Sequence, residues 1–349
     1  MLASLVLALS ASFCAIAQTA TPWPEADRLF HSDPRWLGAD AAYSVDLGRG
    51  RVLWLFGDSF VARKPGGTRR QSRMARNTVA IQTGYDPSTA SIRFYWREAG
   101  SGSFFPDEGH NWFWPLHGIR LGNSLLLFLS IVKPTGTPGL FGFAEDGWAV
   151  FLISNPDADP PRWRIHRLAP PRNPWRIIAG ISVLREGGQL YFWAAGEPKH
   201  NAYLARIRAS EAARGNFAAL QWWCGPSRGW SAEAIPDIPP EPVFHDAQME
   251  FSVHRDGTCY VQLQTVGFGG TDISIRTADS LTGPWSPLRK IYRPPESDAP
   301  RLLVYVAKAH PELQRAPLIV TYAQNADDAR LFSDLTIYFP RFVRVELAK

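Results

Sequence analysis

Residues 38–60 read GADAAYSVDLGRGRVLWLFGDSF, and this stretch decides the fold. An alternating run over 39–46 meets the turn Leu47-Gly48-Arg49-Gly50 and returns as the apolar run 52–60. Glycine-bearing turns between β-branched and aromatic runs are hairpin chemistry. A turn centred on Arg49 sets Asp40 opposite Asp58, on one face of the sheet with Cβ atoms about 5 Å apart. A bulge in that turn would slip the register and separate the pair. Both aspartates also suit local turn-making, Asp40 as a cap and Asp58 in an Asx-turn after Gly57. Their neighbours Trp36, Leu37, Trp54, Leu55, Phe56 and Phe60 are apolar, however. A carboxylate enclosed by such residues needs a partner or a function.

The same phrase recurs along the chain. Residues 112–120 and 125–132 flank Gly122-Asn123, residues 177–184 and 190–195 flank Gly187-Gly188, and residues 249–254 and 259–266 flank Arg255-Asp256-Gly257. A fifth pair joins 302–307 to 317–322. The units follow one another every 60 to 70 residues or so, roughly the length of a four-stranded propeller blade with one long loop. The expectation is an all-β, five-bladed β-propeller with four-stranded antiparallel blades, occupying residues 21–349 as one domain. A pair of β-sandwiches is the competing architecture, but no linker or shift in composition divides the chain. Residues 209–213 are the one convincing helical stretch.

Composition agrees with strands. Twenty-nine Pro, 28 Gly and 14 Trp among 349 residues suit short strands joined by tight turns and argue against a helical array. Residues 1–20, MLASLVLALSASFCAIAQTA, read as a signal peptide in which Ala15-Ile16-Ala17 is the small-x-small cleavage motif. The expected destination is periplasmic or extracellular, with no integral membrane span once the leader is removed. Cys224 and Cys259 remain in the mature chain, as either a disulfide or two separate buried thiols.

In a propeller, the face where first strands begin and second strands end opens onto the central channel. Position therefore sorts the candidates before chemistry does. Asp40 and Asp58 are the paired carboxylates, and Glu250, at the start of the fourth unit, is the third. Glu197 ends a second strand and is a reserve acid, or a loop carboxylate paired with Lys199. His110, Asn111, Trp112, Trp114, Trp175, His245, Asp246 and His310 fall near the same rim as candidate sugar-binding residues, and Lys308 lies beside the last of them. Flat Trp faces stack on sugar rings. Each His alone is also compatible with a structural hydrogen bond. Trp54, Trp148, Trp163 and Trp193 read as core. No transition-metal spacing joins the histidines; no cofactor is expected, although calcium bound by oxygens from separate blades leaves no motif. The loop 63–76 carries six basic residues and no acidic one, which makes it either a solvated loop or a clamp for an anionic glycan. It lacks the interleaved aromatics of a nucleic-acid surface.

The 38–60 phrase also resembles the opening hairpin of secreted bacterial five-bladed propellers that include the endo-D-arabinanases of glycoside hydrolase family 183. Weaker echoes are Arg76-Asn77-Thr78-Val79-Ala80, residues 112–115, residues 250–253 and residues 309–313. The resemblance implies a glycoside hydrolase whose catalytic aspartates are Asp40 and Asp58, acting on a polysaccharide or oligosaccharide with furanosides of D-arabinan type, and it adds Asn77 to the substrate-binding set. The competing class is a propeller that binds carbohydrate without cleaving it. A monomer is expected.

Overall fold

The computed structural model describes residues 16–138, 142–168, 174–196, 200–232, 239–267, 270–314, 317–327 and 329–348. The chain is all-β, with 50% of residues in strands and 9% in helices, arranged as six antiparallel sheets of three to five strands.

After β1 (Ile16–Pro22) and β2 (Trp36–Ala39), the hairpin of β3 (Tyr43–Gly48) and β4 (Arg51–Phe56) forms as its turn chemistry requires. Next, β5 (Ser59–Val61) and β6 (Arg73–Ala75) leave that sheet to make a small three-stranded one with β2, and β7 (Thr78–Thr83) and β8 (Ser91–Tyr95) return to complete the order β3-β4-β7-β8. Three further meanders follow. They are β9 (Trp112–Leu121), β10 (Ser124–Pro134), β11 (Phe143–Ile153) and β12 (Ile165–Leu168); then β13 (Ile178–Glu186), β14 (Gln189–Gly196), β15 (Asn201–Arg208), β16 (Gln221–Trp223) and β17 (Trp230–Ser231); then β18 (Ser252–Asp256), β19 (Cys259–Val266), β20 (Asp272–Ala278) and β21 (Arg289–Tyr292). The last sheet joins the two ends of the chain: β22 (Leu302–Ala309), β23 (Leu318–Ala326) and β24 (Arg341–Ala348) are extended by β1, with Ala20 opposite Val345 and Pro22 opposite Val343.

Polar side chains stitch the first strands of five sheets together in a cycle. The His117 ring on β9 bonds the Ser44 carbonyl on β3 at 3.1 Å and accepts the Val183 N–H of β13 at 2.9 Å. Val253 N–H of β18 donates to Ser182 Oγ on β13 at 2.8 Å, and Ala309 N–H of β22 donates to Ser252 Oγ on β18 at 2.8 Å. Lys308 Nζ of β22 closes the cycle on the Ala41 carbonyl at 2.8 Å, next to β3. Burial pushes the His117 imidazole down to about 4, so the ring stays neutral. One nitrogen can then donate to Ser44 while the other accepts from Val183.

The core agrees with the expected division of the tryptophans. Trp54, Trp148, Trp163 and Trp193 are buried, and Trp54 stands edge-on to Phe30 and Phe342 while its indole N–H bonds Gln82 at 2.7 Å. Residues Ala209–Ala213 form the short helix that was expected. Cys224 is a free, buried thiol, so no bridge joins it to Cys259. Among the described residues, no helix is long and apolar enough to cross a membrane.

Candidate functional site

The register that brings Asp40 to Asp58 is the one the turn implies. Tyr43 pairs with Leu55 and Asp46 with Val52, and beyond the gap Ala39 pairs with Ser59. A bulge does occur at the turn, between Asp46 and Gly48, but it leaves the rest of the ladder unshifted. Between the two ladders, Ala41 and Ala42 both adopt left-handed backbone (φ 67° and 57°), at roughly 1–2 kcal/mol each. This kink lifts residues 40–42 off the strand path, and Gly57 N–H holds the Asp40 carbonyl at 3.2 Å. A Cβ on Gly57 would lie 2.4 Å from Asp40 Oδ1. The glycine of the Phe-Gly-Asp-Ser phrase thus makes room for the carboxyl. Gly57→Ala is expected to leave the fold intact and displace that carboxyl; calorimetry beside a carboxyl titration by NMR checks it, and an unmoved Asp40 titration would refute it.

The two carboxyls have different surroundings. Tyr305 OH donates to Asp40 Oδ2 at 2.8 Å, and Tyr338 OH lies 3.5 Å from the same oxygen. Burial first, then the charges of Asp58 and Glu250, push the Asp40 carboxyl up to about 8, against the opposing pull of Tyr305 and Lys308. Asp58 accepts from Trp114 Nε1 at 3.0 Å and pairs with Arg76 Nη1 at 3.2 Å. Burial raises its pKa, but Arg76 and Trp114 both favour its charged form. Unequal environments of this kind separate an acid from a carboxylate at one pH: Asp40 is protonated at neutrality, and Asp58 is the member equipped to carry charge.

Glu250 joins the same centre through Lys308, whose ammonium lies 2.5 Å from Glu250 Oε2, is 1% exposed, and sits 4.1 Å from the centre of the Tyr43 ring. Residues three apart on a regular strand face opposite ways. Here the β22 ladder slips between Tyr305 and Lys308, with Val306 at φ 51°, and this bulge lets Tyr305 reach Asp40 while Lys308 reaches Glu250. A β-branched residue at positive φ is strained by about 1–3 kcal/mol.

The other expected site residues divide. Trp114 belongs to the centre through Asp58. Trp112 is 8% exposed and lies beneath the Arg76 guanidinium, 4.4 Å from its ring centre, so it backs the ion pair and offers no open sugar platform. Asn77 is a correction: it is fully buried, and its amide is spent on the Phe105 N–H and carbonyl and the Phe113 carbonyl. His310 is another, buried to 1% exposure between Ser44 Oγ and Thr321 Oγ1 and withdrawn from the rim. Trp175 packs against Trp222 and the core. His110 is exposed and Asn111 half-buried on the turn before β9. His245 and Asp246 are exposed, with His245 bonded to Asn201 at 2.7 Å. Glu197 and Lys199 lie outside the described residues.

The basic loop is neither a uniformly solvated loop nor a free clamp. Arg69 is 1% exposed, Arg70 covers the Phe332 ring, Arg73 bonds the Glu98 carbonyl and Arg76 holds Asp58; Arg63 and Lys64, the other two of its six cations, are exposed. Sequence reasoning missed Tyr305, Tyr338 and Arg69. Their partners lie far away in the chain, and no local pattern marks them.

Comparison with known proteins gives three results. A family model described as a domain of unknown function, DUF5005, matches residues 25–347. A candidate hydrolase from Bacteroides ovatus is similar in structure with a TM-score of 0.74 and 16% identity, covering 93% of this chain and 90% of that one. An exo-β-1,3-galactanase from Phanerochaete chrysosporium, solved with galactose, is similar with a TM-score of 0.50 and 12% identity, covering 89% of this chain and 61% of that one. At these identities the two structures speak for the fold alone. A search of curated proteins returns no match.

Proposed function

The chain belongs to the DUF5005 family, and from that membership and the site geometry we propose that it is an exported glycoside hydrolase built as a five-bladed β-propeller. The observation that carries the reading is the pair of enclosed aspartates with opposed environments, Asp40 held as an acid up to about 8 and Asp58 supplied with Arg76 and Trp114. Five sheets stitched through their first strands support the propeller count, with the small β2-β5-β6 sheet as an addition. The fold shared with an exo-β-1,3-galactanase supports a glycan substrate.

In this mechanism Asp40 gives its proton to the glycosidic oxygen as the bond to the anomeric carbon breaks. Asp58 meets the positive charge developing at that carbon or takes the proton of the attacking water, as the separation of the carboxyls dictates. Glu250, with Lys308 behind it, receives substrate hydroxyls. The half-buried Trp114 edge and the Arg76 guanidinium border the approach. Because the centre is built of acidic side chains and Arg76 is committed to Asp58, a neutral glycan fits better than an anionic one. Furanosides of D-arabinan type are the substrate the 38–60 phrase favours.

The test is product release from a panel of arabinans, galactans and xylans. Turnover that is lost in Asp58→Asn supports the reading. Binding without turnover by the unaltered protein would replace it with a carbohydrate-binding propeller.

A further inference from the structure

We propose that Tyr338, clamped from behind by Arg69, is the positioning residue that sets the spacing of Asp40 and Asp58. Its hydroxyl donates to the Asp58 carbonyl at 3.0 Å and stands 3.5 Å from Asp40 Oδ2, so one side chain touches both halves of the pair. Its backbone is left-handed, φ 62°, a conformation that a bulky residue keeps only when its surroundings impose it.

The imposition comes from Arg69. The buried guanidinium donates to the carbonyls of Leu37 (2.8 Å), Leu331 (2.8 Å), Asp334 (2.8 Å) and Ile337 (2.5 Å). One planar fork therefore ties the segment leading into Tyr338 to the strand leading into Asp40. Only a guanidinium presents enough donors in a fixed plane to do this. The opposite wall is Gly38, where a Cβ would lie 2.1 Å from the Tyr338 carbonyl oxygen. Phe60 packs edge-on to the Tyr338 ring, with Leu37 and Ala62 in the same cluster. The small sheet and part of the basic loop thus act as a mount for one hydroxyl. Nothing here requires Arg69 to meet substrate.

The inference rests on the hydrolase reading for its consequence in rate, though its geometric content can be read without a substrate. On a glycan that the unaltered protein cleaves, Tyr338→Phe is expected to lower kcat about 10- to 100-fold, with KM changed less than about twofold and Tm within about 2 °C. A merely structural role would move Tm and spare that split. Arg69→Lys keeps the charge but loses the fork, and is expected to lower kcat in the same sense together with Tm. Should it fail to fold, Tyr338→Phe carries the test.

The substrate-free arm follows the Asp40 carboxyl by 13C NMR, with Asp40→Asn to assign it. The groups facing that carboxyl are Asp58 after β4, Glu250 before β18, Tyr305 and Lys308 on β22, and Tyr338 before β24. Freed spacing weakens the repulsion from Asp58, so the Asp40 titration in Tyr338→Phe is expected to move down by about 0.5 or more. Unchanged kcat with an unchanged or raised titration overturns the proposal. If the unaltered protein cleaves no glycan, the hydrolase reading fails by itself, and the NMR arm alone decides whether Tyr338 sets the pair.

Discussion

Asp40→Asn is expected to cut glycan hydrolysis by about 10²- to 10⁴-fold and, in the same protein, to raise thermal stability above neutral pH. The first effect follows from losing the group that carries the transferable proton. The second follows from linkage. The ordinary pKa of the Asp side chain is 3.8, and the folded protein pushes Asp40 up to about 8. Between those values the native state keeps a proton that the unfolded chain has released. The contribution of Asp40 to stability is therefore full below about 4 and is lost as pH rises through about 8.

Asn carries no such penalty. Melting curves of both proteins at pH 5 and pH 9 should show a difference in Tm that grows with pH, by about 2 °C or more. Glu312, pushed up to about 7 by burial, acts in the same direction and persists in the mutant, so the pH dependence is reduced, not erased. His117, lowered to about 4, acts oppositely: its stabilisation is present above about 6.5 and is lost as pH falls toward 4. A mutant that is inactive yet has the same pH dependence of Tm as the unaltered protein would mean that Asp40 is not the enclosed acid described here. Loss of activity with gain of stability is the pattern of a residue kept for function.

Lys308→Met is expected to be the most destabilising single change at the site. The ammonium is 1% exposed and serves Glu250, the Ala41 carbonyl at 2.8 Å and the Val306 carbonyl at 3.2 Å. Removing one partner of a buried pair strands the other, at about 3–5 kcal/mol. The Met side chain fills much the same volume, so the cost reads the stranded charge and carbonyls more than a cavity. Combining it with Glu250→Gln removes the stranded charge, and the double mutant should recover about 1–3 kcal/mol of the summed losses. Urea unfolding of the two singles and the double measures this coupling. Additive losses would place Glu250 and Lys308 in solvent as independent charges. Because Lys308 also fastens β22 to the kink after Asp40, the same substitution should loosen the closure between the first and last sheets.

The legible part of this protein is local. The 38–60 hairpin, its register, the five successive strand pairs and the core role of Trp54, Trp148 and Trp193 follow from turn chemistry and side-chain alternation, which act over a few residues. Asp40 and Asp58 were found for the same reason, since a hairpin turns two residues 18 positions apart in the chain into one cross-strand neighbourhood. His310 misled because a polar residue at a strand end reads alike whether it faces solvent or the seam between sheets, and Asn77 misled because the resemblance that nominated it does not tell a residue bonded to backbone from one open to a ligand. The basic loop misled because charge counted along a sequence does not reveal which guanidinium has been drawn inside.

By itself, then, the sequence determined the strand-rich class, the pairing and the acidic pair. Only the tertiary structure decided which aspartate holds the proton, and it did so with groups that no short-range pattern can nominate. Tyr305 and Tyr338 reach Asp40 across 265 and 298 positions of chain, and Lys308 reaches Ala41 across 267. Hydrogen-bond partners at such separations exist only once the last sheet has closed against the first. The pKa of a carboxyl is set by whatever burial and charge then surround it, wherever in the chain they come from.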